Sequence, residues 1–188
     1  PRSTQGVSSA ASDVYKRQVS PSSNSLCQIA ESLGANVIKT SQFGTIKIEL
    51  YGMIIDFVSA RSERYKSPGS LPEVTLSTLN DDLARRDFTI NSMAVSLDHY
   101  EWGNLIDPHK GRQDLVRNIV RTLHQESFQD DPTRILRAAR YTSRFGFSLD
   151  QSTKAELLRS TEYLDLISRL KILPKKKKMK LQLIWMLR

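Results

Sequence analysis

Leu26, Ile29, Ala30 and Leu33 recur at three- and four-residue intervals and stop at Gly34, which predicts a short amphipathic helix ended by a left-handed glycine. Two β-rich runs follow, residues 45–51 and 53–59, with Gly52 between them. In the first, Ile46, Ile48 and Leu50 alternate with Lys47, Glu49 and Tyr51, the period of a half-buried strand. The second is apolar on both faces except at Asp56, which predicts a central strand. Residues 61–72 are polar and carry Pro68-Gly69 and Pro72, hence a surface loop. A short helix is expected over 79–86, with Thr78 or Asn80 capping and Asp81 and Asp82 at its positive end.

Residues 90–97 alternate again through Met93, Val95 and Leu97, and 104–107 could return as their hairpin partner. From Leu115 the texture is helical. Asp131 suits an N-cap, Pro132 the first helical position, and Phe145-Gly146 the end. A second helix is expected over 152–161 and a third from near Ser168. The pattern is α+β: a mixed sheet with helices up to about residue 124, then an all-helical part.

Composition narrows the class. The net charge of +8 and pI near 9.7 favour a polyanionic partner, although the lysines at 175–178 supply half of that excess. One cysteine, Cys27, excludes a disulfide within the chain and a cysteine zinc site. No run approaches the ~18 apolar residues of a membrane span, and the start shows no apolar signal core. A cytoplasmic protein with no membrane partner is the expectation. Residues 1–25, rich in Ser and without periodicity, are expected to be a disordered or non-native leader.

The chemistry gathers in two places. Arg85-Arg86-Asp87 is followed by Asn91: arginine forks suit phosphate oxygens, while a carboxylate and an amide suit ribose hydroxyls. The plainer account is a helix end whose arginines are neutralised by Asp81 and Asp82. Asp131 and Arg134 then share one side of a helical first turn. A carboxylate accepts from an exocyclic amino group and an arginine donates to a ring nitrogen and carbonyl, which fits cytosine and adenine but opposes acceptor to acceptor with guanine or uracil. An N-capping Asp with an intrahelical salt bridge is the alternative. Relative to Arg134, Arg140, Arg144 and Arg137 fall at about 240°, 280° and 300°, a narrow basic face, with Ile135, Leu136 and Ala139 opposite and packing inward. No acid occurs from 133 to 149 to neutralise that face, so phosphate is the expected partner.

The string Arg-Arg-Asp-Phe-Thr-Ile-Asn-x-Met-Ala from Arg85 to Ala94, with Asp130-Asp131-Pro-Thr-Arg134 beyond it, resembles the nucleotide pocket of the class II tRNA nucleotidyltransferases, the family of CCA-adding enzymes and bacterial poly(A) polymerases. The resemblance implies a partial nucleotidyltransferase palm over 26–124 and a helical, nucleotide-selecting neck over 125–170. It implies nucleotide binding by Arg86, Asp87 and Asn91, base selection by Asp131 and Arg134, and triphosphate contacts by Arg137 and Arg140. Arg144 would touch the RNA backbone. CTP, ATP and the tRNA 3′ end would be the partners and Mg2+ the cofactor.

Residues 105–115 resemble the family's connector, Asp-Pro-x-Gly-Gly-x-x-Asp-Leu, with Lys110 in place of its first glycine. Phe43-Gly44-Thr45 and Asp56 resemble the strand region beside the catalytic centre. Asp56 is thereby a candidate third carboxylate, or else a buried, hydrogen-bonded Asp.

Two departures qualify the resemblance. The family's metal-binding Asp-x-Asp pair has no counterpart, since the only acid before Glu31 is Asp13. The chain is therefore expected to enter the family partway, roughly forty to sixty residues in, the size of one βαβ unit, and to show little or no transfer unaided. Beyond 170, Pro174, the lysine run and the apolar end suggest a frameshifted or non-native tail. A poly(A) polymerase is the runner-up within the class. A non-catalytic basic RNA-binding module is the alternative outside it, and it would show surface aromatics for stacking. His99, His109 and His124 lack ligand spacing.

Overall fold

The computed structural model describes residues 23–40 and 45–168. Of the leader expected over 1–25, residues 1–22 lie outside this description, as do Phe43-Gly44 and the expected tail, while 23–25 open a helix and so depart from the disordered leader expected there. The described residues form two compact units: one of those up to 62 with 74–83 and 94–106, the other of 63–73, 84–93 and 107–168.

In the first unit, α1 (Ser23–Ser32) ends at Gly34 with φ +71°, the left-handed closure its spacing predicts. Strands β1 (Asn36–Thr40), β2 (Thr45–Leu50) and β3 (Met53–Val58) follow in an antiparallel sheet of order β1-β2-β3. Tyr51 and Gly52 both have positive φ, +49° and +75°, and Leu50 pairs with Met53, so they form a two-residue hairpin loop whose twist matches the strands. The core is Ala30, Ala35, Ile46 and Ile48, backed by Val37, Leu50, Ile55 and Phe57. The alternation in β2 is thus faithful, with Ile46 and Ile48 buried.

Among the described residues β2, not β3, is central. Met53 and Ile54 of β3 are 57% and 66% exposed, so two-sided apolarity there does not mark a central strand. The polar loop expected over 61–72 instead begins with a short strand, β4 (Arg61–Arg64), paired with β5 (Glu73–Leu76).

Helix α2 (Leu79–Ala84) is capped as its sequence predicts. Thr78 Oγ1 accepts from the Asp81 amide (3.2 Å) and Asp81 Oδ2 accepts from the Thr78 amide (3.3 Å), a reciprocal pair that satisfies two end-of-helix donors. Residues 90–97 depart from the alternating strand. Thr89–Asn91 form a 3-10 turn, and only β6 (Ala94–Val95) pairs, antiparallel, with β7 (Leu105–Ile106).

The second unit packs Phe88, Val120, Phe128, Ile135, Ala138, Ala139 and Leu157 into one fully buried cluster. It comprises α3 (Gly111–Val116), β8 (Ile119–Val120), α4 (Ser127–Asp130), α5 (Thr133–Phe145), β9 (Ser148–Leu149), α6 (Gln151–Arg159), a 3-10 turn at Thr161–Tyr163 and α7 (Leu164–Ser168). Asp131 is extended (φ −133°), its Oδ1 accepts from the Thr133 amide at 2.9 Å, and Gly146 closes α5 at φ +70°. Asp150 caps α6 by accepting from the Ser152 amide at 3.0 Å. The part after 124 is not wholly helical: β9 pairs in parallel with β8. Helix α7 occupies the last described residues, and the helix expected from near Ser168 lies beyond them.

Candidate nucleotide site

The turn at Asp87–Asn91 is built by its own side chains. Asp87 Oδ1 accepts from the Phe88 amide and from Asn91 Nδ2, both at 2.9 Å. Its other oxygen accepts from Arg137 Nε at 2.5 Å, a charge-assisted bond reaching across fifty residues. Asn91 Nδ2 also donates to the Tyr141 hydroxyl (3.1 Å), and Arg86 donates to the Asn91 carbonyl (2.9 Å). Tyr141 meets Phe88 edge-on with ring centres 5.7 Å apart, while the Arg137 guanidinium lies 5.9 Å over its ring. Burial of Arg137 disfavours its charge, but the Asp87 carboxylate outweighs that and its pKa is raised.

A buried framework supports the turn from below. Thr89 Oγ1 donates to Asp114 (2.7 Å), and Arg121 bridges Asp114 (3.0 Å) and Asp150 (2.6 Å). Asp107 ties the connector by accepting from the amides of Gly111 (2.7 Å) and Arg112 (2.9 Å). Gly111 is dictated by close approach, for a Cβ there would stand 2.1 Å from the Thr89 carbonyl oxygen. Lys110, where the family pattern has glycine, nevertheless adopts φ +59°. The left-handed conformation is kept at a strain of about 1 kcal/mol.

Asp131 and Arg134 lie side by side, Arg134 Nε 4.0 Å from Asp131 Oδ2. Asp131 is about a third exposed, but Arg134 is buried to 4%. Its NH1 donates to Ser127 Oγ at 2.6 Å and its NH2 to the Arg85 carbonyl at 2.8 Å. Arg85 in turn donates to Glu63 at 2.9 Å, and Glu63 also accepts from the Tyr65 hydroxyl at 3.0 Å. Burial, and next the negative charge of Glu63, push the Tyr65 pKa up to about 12. Arg140 and Arg144 are exposed on α5, and Arg144 stacks 5.5 Å from the Phe145 ring.

Six of the seven expected nucleotide-binding residues therefore fall into two small networks. Arg86, Asp87, Asn91 and Arg137 form one, Asp131 and Arg134 the other; Arg140 stands outside both. Sequence reasoning missed Tyr141, Ser127 and the Glu63–Tyr65 pair. Tyr141 carried a signal, being one helical turn after Arg137. The Ser127 and Glu63 contacts carried none, being set by tertiary packing. Asp56 belongs to the first unit, on β3, where its Oδ1 lies 3.3 Å from Lys47 Nζ but accepts no hydrogen bond, so the buried, hydrogen-bonded alternative is not met at that oxygen. Among the described residues no cluster of three or more acids, histidines or cysteines could hold a metal, so these residues do not by themselves fit the ion the family implies. No helix among them is long and apolar enough to cross a membrane.

The mixed helix-and-strand scaffold is of the class found in nucleotidyltransferase head domains. Residues 12–121 match the family model described as the Poly A polymerase head domain, and the chain belongs to that family.

Its relatives include the A-adding tRNA nucleotidyltransferase of Halalkalibacterium halodurans, 45% identical over 66% of this chain and 30% of that protein. That of Aquifex aeolicus is 41% identical over 74% of this chain and 17% of that protein. The chain thus spans less than a third of either. A solved CCA-adding enzyme in an apo form superposes with a TM-score of 0.74 at 38% identity, over 80% of this chain and 36% of that one. A tRNA nucleotidyltransferase with a primer tRNA and an ATP analogue gives 0.62 at 36% (73% and 37%). A tRNA-processing enzyme with CTP gives 0.64 at 32% (85% and 42%).

Proposed function

We propose that this chain is part of a tRNA 3′-end nucleotidyltransferase and that it selects CTP and ATP by a protein template, the Asp131–Arg134 edge. The observation that carries this reading is that adjacency itself, a carboxylate about a third exposed beside a guanidinium whose plane is fixed. Asp131 accepts from the amino group of cytosine or adenine and Arg134 donates to the neighbouring ring nitrogen.

Asp87 and Asn91 face the ribose, and Arg86, Arg137 and Arg140 take the phosphates. For Arg137 this means exchanging the Asp87 carboxylate for a phosphate oxygen. Arg144 meets the tRNA backbone. Residues 125–168 are, in this reading, the beginning of the helical neck. Mg2+ is proposed as the cofactor on family membership alone. Asp56, paired with Lys47, is proposed as a third carboxylate on the same footing.

The test is equilibrium binding of all four nucleoside triphosphates to this polypeptide. CTP and ATP should bind and GTP and UTP should not, and Asp131→Ala should erase the difference. Equal affinity for the four would sink the template. The two relatives above are both A-adding, which favours a narrower second reading in which ATP alone is taken. CTP binding matching that of ATP would count against it.

A further inference from the structure

Arg134 is nearly buried, and a buried guanidinium is held only where its N–H groups find acceptors. Two of those acceptors are the Ser127 hydroxyl for NH1 (2.6 Å) and the Arg85 carbonyl for NH2 (2.8 Å). Ser127 is itself fully buried and opens α4 directly after Glu126, whose φ of +68° bends the chain there. The Arg85 carbonyl is held in turn, because the Arg85 side chain donates to Glu63 at 2.9 Å and both partners are mostly buried. A planar fork pinned at both terminal nitrogens has no rotational freedom left about its own axis. Its remaining N–H groups can then face one way only.

We infer that Ser127 and Glu63 are positioning residues for base selection, Ser127 by fixing one arm of the Arg134 guanidinium and Glu63 by clamping Arg85, whose carbonyl fixes the other. The inference rests on the reading of Asp131–Arg134 as the base template. Neither residue touches the nucleotide. Each decides how sharply the arginine discriminates, since a donor misplaced by even an ångström can no longer penalise the wrong base edge. The Tyr65 hydroxyl, hydrogen-bonded to Glu63 at 3.0 Å, reports whether that clamp is formed.

The experiment compares binding of ATP, CTP, GTP, UTP and inorganic triphosphate to the whole chain and to Ser127→Ala, Glu63→Ala and Glu63→Gln. Near-ultraviolet circular dichroism serves as the check of fold. The two alanine variants should lose about tenfold or more of the discrimination against GTP and UTP, while inorganic triphosphate binds as to the parent chain. Glu63→Gln, which keeps an oxygen acceptor for Arg85, should recover most of it. If the parent chain binds all four nucleotides alike, the template reading falls and takes this inference with it. If the parent discriminates and folded Ser127→Ala and Glu63→Ala discriminate equally well, the inference alone is overturned. Should Ser127→Ala not fold, the Glu63 pair decides by the same criterion. Inorganic triphosphate binding that falls in step with nucleotide binding would also overturn it, because that is general loss of the site.

Discussion

The Asp87 carboxylate and the Arg137 guanidinium, fifty residues apart in the chain, close on each other at 2.5 Å, and the same carboxylate accepts from Asn91 and the Phe88 amide. One acid thereby organises a turn and an arginine row at once. Asp87→Ala leaves the buried Phe88 amide unmatched and removes an acceptor from the half-buried Asn91 amide, so we expect it to destabilise the fold by about 1–3 kcal/mol. Arg137→Ala should be milder, under about 1 kcal/mol, because that side chain is 45% exposed and its pair is screened by solvent. Urea unfolding of both variants checks the order; equal midpoints would contradict it.

Gly111→Ala should destabilise by at least about 1–3 kcal/mol, the usual range for overpacking. The added methyl would meet the Thr89 carbonyl at 2.1 Å, and backbone cannot step aside as a flexible side chain can. A thermal melt within one degree of the parent would show that the close approach is not real.

Lys110→Gly should act in the opposite direction. Its φ of +59° is strained for any residue with a Cβ, and glycine removes that strain at some entropic expense in the unfolded chain. A gain of up to about 1 kcal/mol in chemical denaturation is expected. A loss would mean that the lysine side chain stabilises the connector.

Two groups bound the pH range. Tyr65, raised to about 12, favours its protonated form when folded. The stability it contributes is full below the unfolded value near 10 and is lost as pH rises through 12. Ultraviolet titration should find one of the six tyrosines ionising last, and Glu63→Gln should bring it down. At the acid side, burial of Asp150 acts to raise its pKa. The Ser152 hydroxyl, the Arg121 charge and two backbone amides outweigh burial, and the pKa is lowered. Its contribution is present above about 3.9, the ordinary Asp value, and is lost as pH falls through the folded value. Carboxyl chemical-shift titration of Asp150 in the parent and in Arg121→Ala should show the value rising in the variant.

The motifs at 85–94 and 130–134 stood out by their resemblance to the family string, and only their capping and i,i+3 contacts were legible from local chemistry. The hairpin at Tyr51-Gly52 and the ends of α5 were legible for the same reason. Burial of Arg134 was not, since its acceptors are a serine seven residues back and a carbonyl 49 residues away. An amphipathicity argument assigns arginine to solvent by default. Strand β1 left no mark because only Val37 in it is even partly buried, so no alternation shows. At 89–91 the side-chain bond from Asn91 to Asp87 favours a tight turn over the strand that alternation suggested. The exposed Met53 and Ile54 of β3 show the reverse error, in which hydrophobicity is read as centrality.

The contact of Gly111 with the Thr89 carbonyl, together with the Thr89–Asp114 hydrogen bond, welds the start of α3 to the turn that carries Asp87 and Asn91. Asp107 is fastened to the same helix start through the Gly111 and Arg112 amides, so the connector, the helix and the turn are joined at three points. Any displacement of the Asp87 turn would thereby reach Gly111 through the Thr89 backbone as well as through its side chain.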